Sequence, residues 1–121
     1  MPNSSPKFTN LLVWQRAHAL VLELCKTTKS FPKDELFSLT PQVRRAAMSI
    51  AANIAEGSKK SRAEFRRFLT ISEGSLEEIK YFLILSKDLG YITGEKHGQL
   101  MTQANEVGFL LHRLRLSLNQ A

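Results

Sequence analysis

The sequence predicts an all-α protein: four helices packed as an up-down-up-down antiparallel bundle. Three observations carry this. Apolar residues recur at spacings of three and four in four separate stretches, and nowhere with the two-residue alternation of a strand. Residues that start and stop helices stand at the joints between those stretches. The joints themselves are short, the tightest being Ser58-Lys59-Lys60, so successive helices must fold back on one another.

Residues 1–9 lack the period and read as a flexible N-terminal segment; residues 10–121 read as the bundle domain. The first helix follows Asn10, a residue type suited to capping, with a seam of Trp14, Ala17, Val21, Leu24 and Thr28. It ends before Phe31, because the residue preceding Pro32 is driven out of helical backbone angles. The longer link that follows contains Phe37, expected to cover the open end of the core. Thr40-Pro41 starts the second helix, a capping hydroxyl with proline in the first turn, and Gly57 is expected to stop it.

Ser61-Arg62-Ala63-Glu64 opens the third helix with the pattern of a capping box, in which serine oxygen and glutamate carboxylate each satisfy a free amide. That helix runs through Phe65, Leu69, Ser72, Leu76, Ile79, Leu83 and Ser86 to Leu89-Gly90. Its roughly 28 residues span about 42 Å, so it should overhang the second helix. Thr93 precedes the fourth, whose seam is His97, Leu100, Ala104, Val107, Leu111, Leu114 and Leu118.

Composition bounds the function. A chain of 121 residues, 43% of them hydrophobic, suits one domain with one core. A lone Cys25 excludes a disulfide framework and a cysteine metal knot. No apolar run approaches the ~20 residues of a membrane span, and MPNSSPKFTN lacks a signal-peptide core. The expected setting is the cytoplasm, with no membrane partner. A net charge of +6 and a pI near 9.8 favour an anionic partner, nucleic acid first.

The second helix is unusually small. Val43, Ala47, Ile50 and Ile54 form its apolar seam, with Ala46, Ala51, Ala52 and Ala55 around them, so it is expected to be the innermost helix. Gly74-Ser75 of the third helix is the expected place of close approach. Arg45, Ser49, Asn53 and Glu56 make a polar stripe on the small helix, read as structural hydrogen bonding that sets register, with Ser72 or Ser75 as partners. A ligand site is the other reading of the same stripe.

These residues carry a resemblance. Arg45-Ala46, Ser49-Ile50 and Asn53-Ile54-Ala55-Glu56-Gly57 resemble the signature of the four-helix-bundle family encoded within intervening sequences of bacterial 23S rRNA genes. Trp14, Phe31-Pro32, Gln42, Phe65, Phe68-Leu69, Gly74-Ser75 with Glu78, and Leu89-Gly90-Tyr91 add to it, while Ser72 stands where alanine is usual. The resemblance covers residues 10–118. It implies bacterial cytosolic proteins assembling as ring-shaped homopentamers; no cofactor is expected. It also implies kinship with the accessory variability determinant of diversity-generating retroelements, a basic pentamer that binds nucleic acid and a reverse transcriptase.

Topology sorts the charges. One end of an up-down-up-down bundle collects Lys7, Arg16, Lys59, Lys60, Arg62, Arg66, Arg67, Arg113 and Arg115, against Glu56 and Glu64. Nine cations against two carboxylates leave a local excess larger than the net charge of the whole chain. Arginine forks and free amides at a helix start suit phosphate oxygens. Phe65 and Phe68 sit at core spacing and Tyr91 belongs to the other end, so the expectation is backbone contact with RNA or DNA without base stacking.

Catalysis finds little support. His18, His97 and His112 are scattered, His97 falling on a seam as a satisfied structural histidine; Cys25 has no evident histidine partner, and the Glu-x-x-His pairs of di-iron bundles are absent. The expected protein is not an enzyme and carries no metal. Tyr81, Ile84, Phe109 and Leu110 lie off the seams and are expected to form the interface of a homo-oligomer. The alternative to nucleic-acid binding is a structural or protein-interaction module, such as a reverse-transcriptase accessory.

Overall fold

The computed structural model describes residues 5–119. Four helices follow one another: α1 (Leu12–Thr28), α2 (Leu39–Gly57), α3 (Arg62–Asp88) and α4 (Gly94–Ser117). Turns of 3-10 helix at Lys7–Asn10 and Lys33–Glu35 precede α1 and α2, and no strand occurs among the described residues. Cross-helix pairs fix the directions. Ser49 meets Ser75 while Arg45 meets Glu78, so α2 and α3 are antiparallel; Arg16 with Glu106 and Lys96 with Glu23 show the same for α1 and α4. Consecutive helices are neighbours and α4 closes against α1, the arrangement of an up-down-up-down bundle.

Each helix gives one stripe to the core. Leu20 and Leu24 of α1 pack there with Ile50 and Ile54 of α2, Leu69, Leu76 and Ile79 of α3, and Leu100 and Leu111 of α4. Burying each such side chain stabilises the fold by about 1.5–3 kcal/mol. The expected seams of α3 and α4 are largely the buried ones, though Leu114, Leu118 and His97 are half-buried. The seam of α1 is rotated from the expected one. Val13 and Leu20 are buried while Trp14 and Val21 are half-buried at its edge, because apolar residues at 11–14 and 20–22 offer two stripes and the partner helices select one.

The helix ends differ from the sequence reading in instructive ways. Asn10 does not cap α1: it completes the 3-10 turn, and Leu11 is the residue at the helix start, with no side-chain cap. Instead Gln15 reaches back to the Thr9 carbonyl at 2.9 Å. The expected loose segment of residues 1–9 falls partly outside the described residues; its Lys7–Thr9 portion lies in that turn, with Phe8 edge-on to Trp14. Helix α2 begins one residue before Thr40, and its first amide is satisfied by a carboxylate from the preceding turn. Glu35 Oε1 accepts from the Leu39 amide at 3.3 Å and from Ser38 Oγ at 2.7 Å. Glu35 Oε2 takes the Tyr91 hydroxyl at 2.6 Å, tying the α1–α2 link to the α3–α4 link.

Ser61 caps α3 by accepting the Glu64 amide at 3.2 Å, but the Glu64 carboxylate turns to Arg67, so one half of the capping box forms. Thr93 caps α4 through the Lys96 amide. At the end of α3, Gly90 adopts φ +79 and the Tyr91 amide bonds back to the Ser86 carbonyl at 2.8 Å, a six-to-one closure that needs a residue tolerant of the left-handed region.

Three expectations about packing are corrected. Phe37 does not cover the core: it is 92% exposed, because Glu35 anchors the link beside it and Leu39 fills the position beneath. Helix α2 is not enclosed on all sides, since Met48 and Ala52 on its outer face are exposed; its small residues serve the α1 and α3 sides. Gly74 is not the point of close approach, as a Cβ there would meet open space. Gly57 is. A Cβ on Gly57 would stand 2.7 Å from Phe68 Cβ and 2.8 Å from Phe65 Cδ1.

The two glycines therefore respond in opposite directions to alanine. Gly57→Ala should destabilise by about 1–3 kcal/mol, because Phe68 Cβ is fixed to its backbone and cannot rotate away. Gly74→Ala should stabilise by about 1 kcal/mol, as a helix-interior glycine relieved of its entropy cost. Thermal melting of both variants checks this, with about 4 °C expected per kcal/mol.

The acid limb follows from two carboxylates. The Lys96 hydrogen bond holds Glu23 below the ordinary 4.5, and the Tyr91 hydroxyl, then Ser38 and the Leu39 amide, do so for Glu35. A depressed folded pKa gives stability that is complete above the unfolded value and lost as pH falls through the folded one. Melting temperature should therefore drop as the protein is acidified below pH 4.5, and a Glu23→Gln, Glu35→Gln variant should melt lower at neutral pH but lose less on acidification. Tyr91 is pushed up by Glu35, so its share should instead vanish as pH rises beyond 10.0.

Candidate nucleic-acid interface

The α2–α3 turn is a charged tip built on that glycine contact. With Gly57 against Phe68, α2 has no room to continue beside α3, and the chain reverses through Ser58, Lys59 and Lys60. Ser58 Oγ donates to the Ala55 carbonyl at 2.7 Å, and the Lys59 and Lys60 amides bond back to Glu56 and Gly57, which leaves both lysine side chains outward and exposed. Arg62, the first residue of α3, and Lys7 and Arg113 are exposed at the same end. None of these five cations has an ion-pair partner among the described residues; Arg113 lies over the Phe109 ring at 5.6 Å.

The other expected contact residues are engaged within the chain. Arg16 pairs with Glu106 at 3.3 Å, the two side chains 48% and 52% exposed. Arg67 pairs with Glu64 at 2.9 Å and lies over the Phe68 ring. Arg115 pairs with Glu73 at 2.6 Å and also donates to His112 Nδ1 at 3.1 Å. Arg66 is half-buried and donates to the Leu118 carbonyl at 2.6 Å, closing the end of α4 onto α3. Glu73 and Glu106 thus join Glu56 and Glu64 at this end, so the nine cations face four carboxylates and the expected excess shrinks. The α2–α3 tip, with Lys7 and Arg113, is the unpaired remainder.

The polar stripe is a seam between α2 and α3. Ser75 Oγ donates to Ser49 Oγ at 2.9 Å, Asn53 Nδ2 donates to the Ser49 carbonyl at 2.8 Å, and Ser72 Oγ donates to the buried Ile50 carbonyl at 2.8 Å. Arg45 reaches Glu78 at 2.7 Å and Gln42 at 3.0 Å within the chain. Glu56 is exposed at the rim of the stripe. Of the expected interface residues, Tyr81, Ile84 and Phe109 are exposed and Leu110 is half-buried in a cleft with Leu11, Leu12 and Arg113.

The histidines do not converge. His18 stacks on Trp14 with centroids 4.9 Å apart, His112 takes Arg115, and His97 is half-buried with Nε2 buried and unpartnered among the described residues, so it is not satisfied as expected. Cys25 is half-buried, its carbonyl accepting Arg44 at 3.4 Å. Among the described residues no three His, Cys, Asp or Glu side chains are grouped to hold a metal ion, and no helix is long and apolar enough to cross a membrane.

One feature of this end escaped the sequence reading. Phe8, Leu11 and Phe65 line a cleft of about 210 Å³ with Lys7, Ser58 and Lys59. Phe65 sits at core spacing, yet it is half-buried and its ring walls the cleft. The available signal was Phe8 directly beside Lys7, with Leu11 just before the helix and Trp14 in its first turn.

The chain matches the family model described as 23S rRNA-intervening sequence protein over residues 9–113. No curated protein sequence matches it. Among solved structures, it is similar to a protein of unknown function from the S23 ribosomal protein family of Bacteroides thetaiotaomicron VPI-5482. The two share 26% identity and superpose with a TM-score of 0.80, covering 86% of this chain and 95% of that one. On the family match and this likeness of fold, the chain belongs to the 23S rRNA-intervening sequence protein family.

Proposed function

We propose that this protein works by binding rather than by catalysis, as a homo-oligomer, most simply a homopentamer, that holds RNA or DNA by its phosphate backbone. The observation that carries the reading is the α2–α3 tip, where Lys59, Lys60 and Arg62 project without a carboxylate partner among the described residues, with Lys7 and Arg113 at the same end. Unpaired cations on a turn and a helix start suit phosphate oxygens, and such contacts carry little sequence information. Repetition of the tip around an oligomer would raise avidity without any new contact.

A second reading, a protein-interaction module such as a reverse-transcriptase accessory, draws on the opposite end. Leu36, Phe37 and Leu89 are exposed there, and Phe37 and Leu89 line a groove with Phe82 and Leu85. Exposed apolar groups gathered in one place mark protein contacts.

Fluorescence anisotropy against salt tests the first reading. Each neutralised phosphate contributes about 0.7–0.9 to the log–log slope. Changing Lys59, Lys60, Arg62 and Arg113 together to glutamine should lower that slope by about 3 and remove binding at moderate salt. Arg66 is left in place because it holds the end of α4. Lys87→Gln, exposed near the end of α3, should leave binding unchanged. Failure of the wild type to bind at low salt, or equal loss in both variants, would favour the second reading.

Assembly has its own test. Tyr81 and Phe109 are 58% and 60% exposed, and a charge at either would oppose burial against a second copy. Light scattering should report an oligomer for the wild type and smaller species for Tyr81→Glu, Phe109→Glu. A wild-type monomer at micromolar concentration would overturn the assembly.

A further inference from the structure

We infer that the cleft between Phe8 and Phe65 receives one unpaired nucleobase of a single-stranded nucleic acid, with the flanking phosphates on Lys7 and Lys59. This rests on the basic end binding nucleic acid and adds what that end selects. Phe8, Phe65 and Leu11 give apolar walls, with Ser58 beside them, its hydroxyl held by the Ala55 carbonyl. Both lysines line the same cleft and are exposed, with no ion pair among the described residues. Base faces stack on aromatic rings while ammonium groups take the adjoining phosphates, the pairing used by single-strand binders.

The chemistry separates a single strand from a duplex. In a duplex each base face is covered by its neighbours, and only edges reach the grooves. Rings recessed in a cleft can reach a base only when it is unstacked and turned out. A purely apolar occupant would leave two ammonium groups at its margin unanswered, whereas a nucleotide answers both the walls and the charges. The aromatic surface continues beyond the cleft: Phe8 meets Trp14 edge-on at 5.3 Å, and Trp14 stacks on exposed His18 with planes 10° apart.

The experiment compares wild type, Phe8→Ala and Phe8→Trp against three probes of equal length: a single strand carrying 2-aminopurine, the matched duplex, and a strand of abasic sugar-phosphate. Wild type should bind the single strand more tightly than the abasic strand by on the order of tenfold, the worth of a stacked base, and should raise 2-aminopurine emission as the base leaves its neighbours. Phe8→Ala should bind the single strand only as well as the abasic one, Phe8→Trp should retain the preference, and duplex affinity should be the same in all three. A single-strand preference that survives Phe8→Ala, or a Phe8→Ala loss equal for strand and duplex, would overturn the cleft while leaving the basic end intact. Wild type that binds none of the probes would overturn the reading of the basic end, and the cleft with it.

Discussion

The approach of α2 to α3 is the constraint on which the rest of the molecule depends. Gly57 lets the two backbones come so near that Phe68 Cβ occupies the space of an absent side chain. Farther along, Ser72 bonds to a backbone carbonyl of α2 and Ser75 to a side chain of α2, contacts that are possible only between helices packed through small residues. A buried hydroxyl without a partner would cost about 1–3 kcal/mol. These serines therefore penalise any sliding of α3 along α2 more sharply than apolar packing would. The register they hold fixes where the turn falls, and the turn is where the unpaired lysines are.

What the sequence made legible follows from this. Helix existence, order and direction came from periodicity, capping residues and short links, and the spacing of the polar stripe set Asn53 one turn from Ser49, which meets Ser75. Rotation of α1 was not readable, since its apolar residues fill more than one stripe and only its neighbours choose between them. The glycine of close approach was misassigned for a related reason. A glycine in mid-helix suggests close packing, but Gly74 faces solvent, whereas Gly57 ends α2 as expected and is also the point of contact.

The site was legible as a sum of charges and not as a set of free ones. Arg16 with Glu106 and Arg115 with Glu73 join residues far apart in the chain, so the partners could not be read before the helices were placed. The pairs also differ in kind. Two half-exposed side chains such as Arg16 and Glu106 gain about 0–1 kcal/mol from their pairing. A phosphate can compete for that arginine at little cost. Arg115 and Glu73 are less exposed and Arg115 is shared with His112, so that arginine is held to the bundle.

The two ends consequently have different chemistry although one topology builds both. At the α2–α3 end a turn of minimal length leaves only the side chains of Ser58, Lys59 and Lys60 to present, and their amides are already spent on the helix they leave. At the opposite end two longer links are cross-tied by the Glu35 carboxylate, which takes Tyr91, Ser38 and the Leu39 amide at once. That tie holds the link in place while Leu36 and Phe37 stay exposed beside it. Unpaired positive charge gathers where the chain turns tightly, and exposed apolar side chains gather on the longer links. The same antiparallel order that buries one core therefore leaves unpaired cations exposed at one end of the bundle and apolar side chains exposed at the other.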